Sequence, residues 1–466
     1  MAIIVCCVVA ALVVIGSSPW WLPDIVIALR NRIFARINGP EGLLVPGPQV
    51  TVEHFRQLYA HPAADGRSKG AGLSDLFWYW LCPGPQVHQE HLEPGPRYDD
   101  VARTTRKILA RPKTEVEAMV TTVVRDYLKE LDLQRPRAVR LRELMMPIWA
   151  DFYYQLVFDE PAPRAVRQLI VDNANDVITA LKCTGLRHLA VRDRLTRFLR
   201  EAVDNGRIPH PLPASLTAQE QAWFLQGTFF NTAIVQMSEA MTHLFLVVAQ
   251  NPDIQQRLRE HPDDDPYLDH VLDETFRNYP LFGIAHRITS ADIAVTADLT
   301  LPAGTVLCFS YPDFHSAGFP DPHSFEPDRW ETLSAREANH IPFGVTANRA
   351  CPAKGIAPLT MRVVLREFLK HLRLASSATH VRSIPNRGPC LLIPLESRER
   401  SGGRLAAQWA LDRAEDVSRS VTQLFLGTYM VWDARRQRLT ENYFATHDTQ
   451  GRPLAALPTQ AGGGHE

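Results

Sequence analysis

"HIPFGVTANRACPAKGIAPLT", residues 340–360, places one cysteine two positions after an arginine and immediately before a proline. Downstream, "IAPLTMRVVLREFLKHL" carries apolar residues at helical period, so Cys351 sits where a loop opens into a helix. Pro352 suits the first turn of that helix, where a missing N–H costs nothing. The helix dipole and the nearby Lys354 amine both favour thiolate over thiol. A thiolate with one open side is a nucleophile or an axial ligand for iron; an inert buried cysteine is the competing reading.

Composition limits what surrounds this loop. The chain has 466 residues, 45% of them hydrophobic, with a formal net charge of -1, enough to bury a large core and without the basic excess that nucleic acid requires. Its 7 cysteines are scattered, odd in number and without a CxxC pair, which argues against a disulfide scaffold or a zinc site and for a reducing compartment.

The N-terminus reads differently from the rest. "AIIVCCVVAALVVIG" is uncharged, and the apolar run from Ala2 to Leu22 reaches membrane thickness with Trp20 and Trp21 at its end. Arg30, Arg32 and Arg36 follow the run, which predicts a retained single-helix anchor over residues 1–34 with the body on the cytoplasmic side. A cleaved signal peptide is the alternative, and it lacks the basic n-region such peptides carry.

Beyond the anchor the pattern is mainly helical with a few short strands. Helical spacing marks 112–131, 164–183 and 219–250, the last so long and apolar that it must cross the middle of the core. Alternation marks 286–311, with a Pro-Ala-Gly turn, and 389–396. Residues 401–441 form another helical pattern after a Gly-Gly linker, with Val421, Leu424, Phe425, Tyr429 and Trp432 as an apolar stripe expected to dock on the body or a membrane surface, or else on a partner. The end, "TQAGGGHE" (459–466), reads as disordered.

Two further motifs bear on Cys351. "LDETFRNYP" sets Glu274 and Arg277 three apart on one helical face, and "FPDPHSFEPDRW" supplies Arg329 some 50 residues later. In this order and spacing before the cysteine loop, they resemble the cytochrome P450 family over roughly residues 35–396. The resemblance implies an α+β architecture, mainly α with small β-sheets, in which a triangular helical body surrounds a buried haem. It divides the chain into an anchor (1–34), a haem domain (35–396) and a C-terminal extension (397–466). Carried over, Cys351 is the proximal ligand of haem b, with Phe343, Gly344 and Ala353 in its loop. Arg349, Arg287 and Arg106 are the propionate partners, and Glu274, Arg277 and Arg329 form a structural triad. Buried propionates need paired cations, so the assignment is physically consistent.

Departures from the family pattern accompany the matches. The loop is one residue longer between Phe343 and Cys351, "VTAN" replaces the second glycine, and Ala353 stands where glycine is usual. On the long helix, counting back from "AQNP" (249–252) puts Val235 at the acid position and Gln236 at the alcohol position used for proton delivery. Valine cannot relay a proton and glutamine does so poorly. Three readings follow: a register shift that brings Thr232, or Ser238 and Glu239, into place; ordinary dioxygen-dependent monooxygenation, with a ferredoxin or reductase as electron donor, using water or a substrate hydroxyl; or atypical chemistry on a peroxide or N-oxygenated substrate, with Gln236 orienting it. Ala233, Ile234, Met237, Phe282 and Ile284 are the expected pocket residues, and their apolar character implies a small hydrophobic substrate, of the kind found in secondary metabolism. A haem-binding sensor or scaffold without catalysis is the rival from another class.

Overall fold

The computed structural model describes residues 2–38, 42–131, 133–334, 336–378, 388–397 and 402–454, so the terminal "TQAGGGHE" lies outside the described residues. The body is mainly α with small sheets. Its core is built on the helix Leu141–Phe158, apolar on nearly every face, packed against the central helix that follows residue 217. A helix hydrophobic all round has only the core as a stable environment.

The central helix starts at a capping box: the Thr217 side chain accepts from the Glu220 backbone N–H, while the Glu220 carboxylate accepts from the Thr217 N–H. It then runs as α-helix Ala218–Leu225, a π-helical segment Gln226–Ala233, and α-helix Ile234–Gln250. Side-chain bonds to neighbouring elements fix the wider turn. Asn231 donates to the Leu81 carbonyl (2.9 Å) and accepts from Asn173 (2.7 Å), and Gln226 donates to Asn173 (3.0 Å) and the Arg192 carbonyl (3.1 Å). Such segments widen the backbone locally and recur at functional sites.

Strand Leu43–Val45 pairs parallel with Val306–Ser310, which pairs antiparallel with Ile284–Ile288. A second antiparallel sheet joins Arg137–Arg140, Pro389–Pro394 and Leu372–Ala375, and Ile293–Ala294 pairs with Thr300–Leu301. Helices Lys113–Glu130 and Arg164–Leu181 fall where their apolar spacing put them.

One expectation about helices is corrected and another is narrowed. The helix after the cysteine loop begins at Ala357, not at Pro352; residues 352–356 are turns, and Pro358 occupies the first-turn position instead. In the C-terminal helix Gly402–Gln437, the residues that dock on the body are Met430, Val431 and Ala434, packed with Leu76, Tyr79 and Cys183, whereas Val421, Phe425, Tyr429 and Trp432 of the expected stripe stay exposed. Polar anchors decide which face turns inward: Arg140 pairs with Asp412 and Glu415, and Tyr79 donates to Asp433 (2.9 Å).

Among the described residues, two helices are long and apolar enough to cross a membrane. Ala218–Gln250 is the buried central helix, while Ile3–Ile37, in the N-terminal helix Ala2–Asn38, has none of its apolar window covered by the body and is a candidate membrane anchor.

Candidate functional site

The cysteine loop closes on itself through the Cys351 N–H, which donates to the Phe343 carbonyl (3.0 Å). The extra residue is absorbed in a tight turn bridged between Val345 and Asn348, after which Arg349 takes a left-handed conformation (φ 51°). That conformation costs a non-glycine residue roughly 1 kcal/mol and persists where surroundings hold it. Gly344 also has positive φ (69°), and a Cβ there would lie 3.2 Å from the Tyr59 hydroxyl, so two constraints require glycine.

Above this loop lies a cavity lined mainly by apolar side chains. Cys351, Phe343, Gly344, Ala353 and Arg349 form one wall. The central helix supplies the opposite wall at i, i+4 spacing through Thr228, Thr232 and Gln236, with Ala233, Met237 and Ala240 beside them. Phe282, Ile284, Phe276 and Phe77 complete an apolar surround.

Four of the predicted catalytic, cofactor and pocket residues fall outside the lining. Ile234 and Val235 point into the core, so the position read as the missing acid does not face the cavity at all. Arg106 is exposed on the helix Pro96–Leu109 and does not line the cavity. Arg287 is fully buried against the Tyr59 ring and is not part of the lining, whereas Arg67, from a loop with no distinguishing sequence pattern, lines the cavity beside Arg349.

These three guanidinium groups are buried and incompletely bonded. Arg349 donates to the Gln89 (3.0 Å) and Leu92 (2.9 Å) carbonyls and lies 4.0 Å over the Tyr98 ring, leaving one terminal nitrogen unpaired. Arg287 donates to the Ala64 and Asn348 carbonyls, lies 4.2 Å over the Tyr59 ring, and has Nε unpaired. Arg67 pairs with Glu90 (3.2 Å), donates to the His286 carbonyl and also has Nε unpaired. Among the described residues Glu90 is the one carboxylate in the cavity lining, and burial holds His88 and His286 neutral at about 4. Burial and the neighbouring Arg67 charge depress Arg349 to about 10. Arg67 and Arg349 line the cavity with Arg287 buried close to Arg349, so positive charge exceeds the single Glu90 carboxylate beside Cys351, the complement of an anionic group.

Burial pushes the Cys351 thiol up to about 11, outweighing the backbone amides of Ala353 and Lys354 and the Lys354 charge that favour the thiolate. The expected dipole effect is absent because the helix begins six residues later. Gln236, half-buried, makes no hydrogen bond within the described residues, so it is not held to its own helix. The Thr228 hydroxyl is likewise buried and unpartnered. Of the alternative proton donors, Thr232 faces the cavity, whereas Glu239 is turned away and paired with Arg142 and Lys182, and Ser238 is buried behind the helix.

Away from the cavity, Glu274 is fully buried and receives Arg277 twice (2.7 and 2.9 Å), Arg329 (3.2 Å), Trp330 Nε1 (3.0 Å) and the Glu326 amide (3.0 Å). The three residues of the predicted triad therefore meet, joining the helix Asp265–Asn278 to the segment that leads into the cysteine loop.

The body is thus a mainly helical fold whose cavity lies between a cysteine loop and a widened central helix. Known proteins give the same picture. The cytochrome P450 family model matches residues 215–398. A putative cytochrome P450 135B1 of Mycobacterium tuberculosis is 34% identical over 137 residues, covering 27% of this chain and 29% of the relative. A cytochrome P450 monooxygenase of Aspergillus niger is 28% identical over 347 residues, covering 69% of this chain and 62% of the relative. The matched stretch thus spans under two thirds of these curated relatives. Among solved structures, a zebra fish cytochrome P450 with progesterone superposes with TM-score 0.63 at 17% identity over 76% of this chain and 95% of that chain. Cytochrome P450 OleT with arachidonic acid gives TM-score 0.61 at 15% identity over 74% and 88%. Residues 215–398 thus carry a cytochrome P450 family match, and the body has the fold of solved cytochromes P450.

Proposed function

We propose that the protein is a haem-thiolate oxidoreductase that binds haem b through Cys351 and modifies a small hydrophobic compound. The observation that carries this reading is the excess of positive charge at Arg67 and Arg349, which line the same cavity as Cys351, with Arg287 buried beside them and an unpaired guanidinium nitrogen on each of the three. Two propionates would neutralise that charge, and the unpaired guanidinium nitrogens are the donors they would engage. A bound haem would supply redox chemistry, with Cys351 the residue that would hold it and its electron-rich sulfur tuning that chemistry.

The chain's own residues set what happens on the other side. Phe77, Phe229, Phe282 and Ile284 exclude water and select apolar ligands. The free Gln236 amide offers one acceptor and two donors above the site, suited to orienting a polar group on an otherwise apolar substrate. With no carboxylate on the central helix facing the cavity among the described residues, the usual proton delivery lacks its acid. This supports a substrate that already carries its oxidising equivalent, a peroxide or an N-oxygenated group. The Thr228 and Thr232 hydroxyls favour a second reading, dioxygen-dependent monooxygenation with a ferredoxin or reductase, protons passing through these alcohols and water.

The test is the reduced, carbon-monoxide-bound absorption spectrum of the wild type and of Cys351→Ala. A thiolate-type Soret band present in the first and lost in the second is expected; a band indifferent to the substitution overturns the assignment. In a second arm, Gln236→Leu should keep that band and lower turnover with a peroxide or N-oxygenated substrate by roughly tenfold or more, the effect of losing one orienting hydrogen bond in a dry site.

A further inference from the structure

We propose that the outer face of the C-terminal helix Gly402–Gln437 is a membrane contact in its own right, lying in the plane of a phospholipid bilayer beside the N-terminal helix. The positions sharing that face from Ala407 to Trp432 carry no charge over more than seven turns. Leu411, Phe425, Tyr429 and Trp432 on it are 67%, 68%, 48% and 49% exposed. Large apolar side chains left in one row on a folded surface mark a contact that the isolated chain leaves unmade.

Lipid is the occupant that the surroundings favour. The N-terminal helix runs alongside in the same direction: the Trp20 and Trp409 rings are 5.7 Å apart, Arg30 donates to Gln423 (2.8 Å), and Phe34 packs at Gly427. Ile33 and Ile37 open onto the same shallow groove as Phe425, Tyr429 and Trp432, so the two helices present one continuous apolar surface. At its far end, Arg436 lies 5.2 Å from the Trp432 ring. Aromatic rings bordered by arginines are the signature of a headgroup boundary.

The inner face fixes the orientation. The body is joined along the helix by Arg404 to the Pro136 carbonyl (2.7 Å), Ser377 to Asp412 (2.9 Å), Arg140 to Glu415 and Tyr79 to Asp433 (2.9 Å). An upright helix would drag these charges into hydrocarbon, whereas a flat one immerses only its outer face. The part of the N-terminal helix packed on it, Trp20 onward, then lies flat as well, and the apolar residues before Pro19 are the part free to enter the bilayer core.

Full-length protein with Cys6→Ser and Cys7→Ser would be labelled with an environment-sensitive fluorophore at Phe425→Cys, at Trp432→Cys, or at Arg259→Cys on the body as control. Each is bound to phosphatidylcholine–phosphatidylserine vesicles, with the reduced carbon-monoxide spectrum reporting the fold. At 425 and 432 the label should be quenched by brominated acyl chains and shielded severalfold from iodide relative to 259. Iodide quenching equal to the control overturns the proposal. So does shielding from both quenchers, which would mean that a second copy or another protein covers the face.

Discussion

Arg349 combines three demands that no other residue type meets together: it holds a left-handed turn, it satisfies two backbone carbonyls of the 89–92 segment, and it keeps a nitrogen free toward the cavity. Lysine could supply the charge but not the planar fork that divides donors between protein and ligand. Arg349→Gln is therefore expected to release haem at least about tenfold faster, the loss of one charge-assisted hydrogen bond, measured by transfer to an apomyoglobin acceptor. Arg67→Gln should weaken retention in the same direction, and Arg106→Gln should leave it unchanged, because Arg106 is exposed and outside the cavity lining.

At the scale of elements, the central helix is tied to its neighbours by buried charge. Glu239 is paired with Arg142 and Lys182; burial pushes its carboxyl up, but those two cations outweigh it and hold it at about 2. With the folded value below the ordinary 4.5, its contribution to stability is complete above about pH 4.5 and is lost as pH falls through about 2. The shift corresponds to a contribution on the order of 3 kcal/mol. Glu239→Gln should therefore flatten the acid limb of the stability profile in that window and lower stability at neutral pH by about 3–5 kcal/mol, since two cations stay buried with no anion; urea unfolding across pH 2–7 reads both.

At the scale of the molecule, the C-terminal extension is part of the body's structure. Asp75 accepts from the Thr440 amide (2.9 Å) and hydroxyl (2.8 Å), and Gln450 accepts from the Arg97 amide (3.0 Å) and donates to the Pro94 carbonyl (3.2 Å), close to the segment that carries His88 to His91. Truncation after residue 397 uncovers Leu76 and Tyr79 and leaves Asp75 without these partners. The expected result is a lower unfolding temperature and weaker haem retention together, read by calorimetry and by the Soret band; unchanged values in both would show the extension to be an appendage.

The cysteine loop, the triad residues and the helix at 219–250 were legible because each rests on local spacing: helical period, a positive-φ glycine, and charges three apart on one face. Arg67 and the orientation of Val235 were not. The loop around Arg67 has no periodicity, and its guanidinium reaches the cavity only because strand Ile284–Ile288 and the 88–93 segment pack against it. Likewise, counting back from "AQNP" gives a residue's place along the central helix but not what its side chain faces, which the packing of Ile234–Gln250 against Leu141–Phe158 decides. The sequence alone determined which residues could bind iron, because chemistry travels with residue type. Which of them face one another, which arginines meet an anionic group, and which side of the C-terminal helix is left for another surface were decided only by tertiary packing, because burial and pairing join residues hundreds of positions apart.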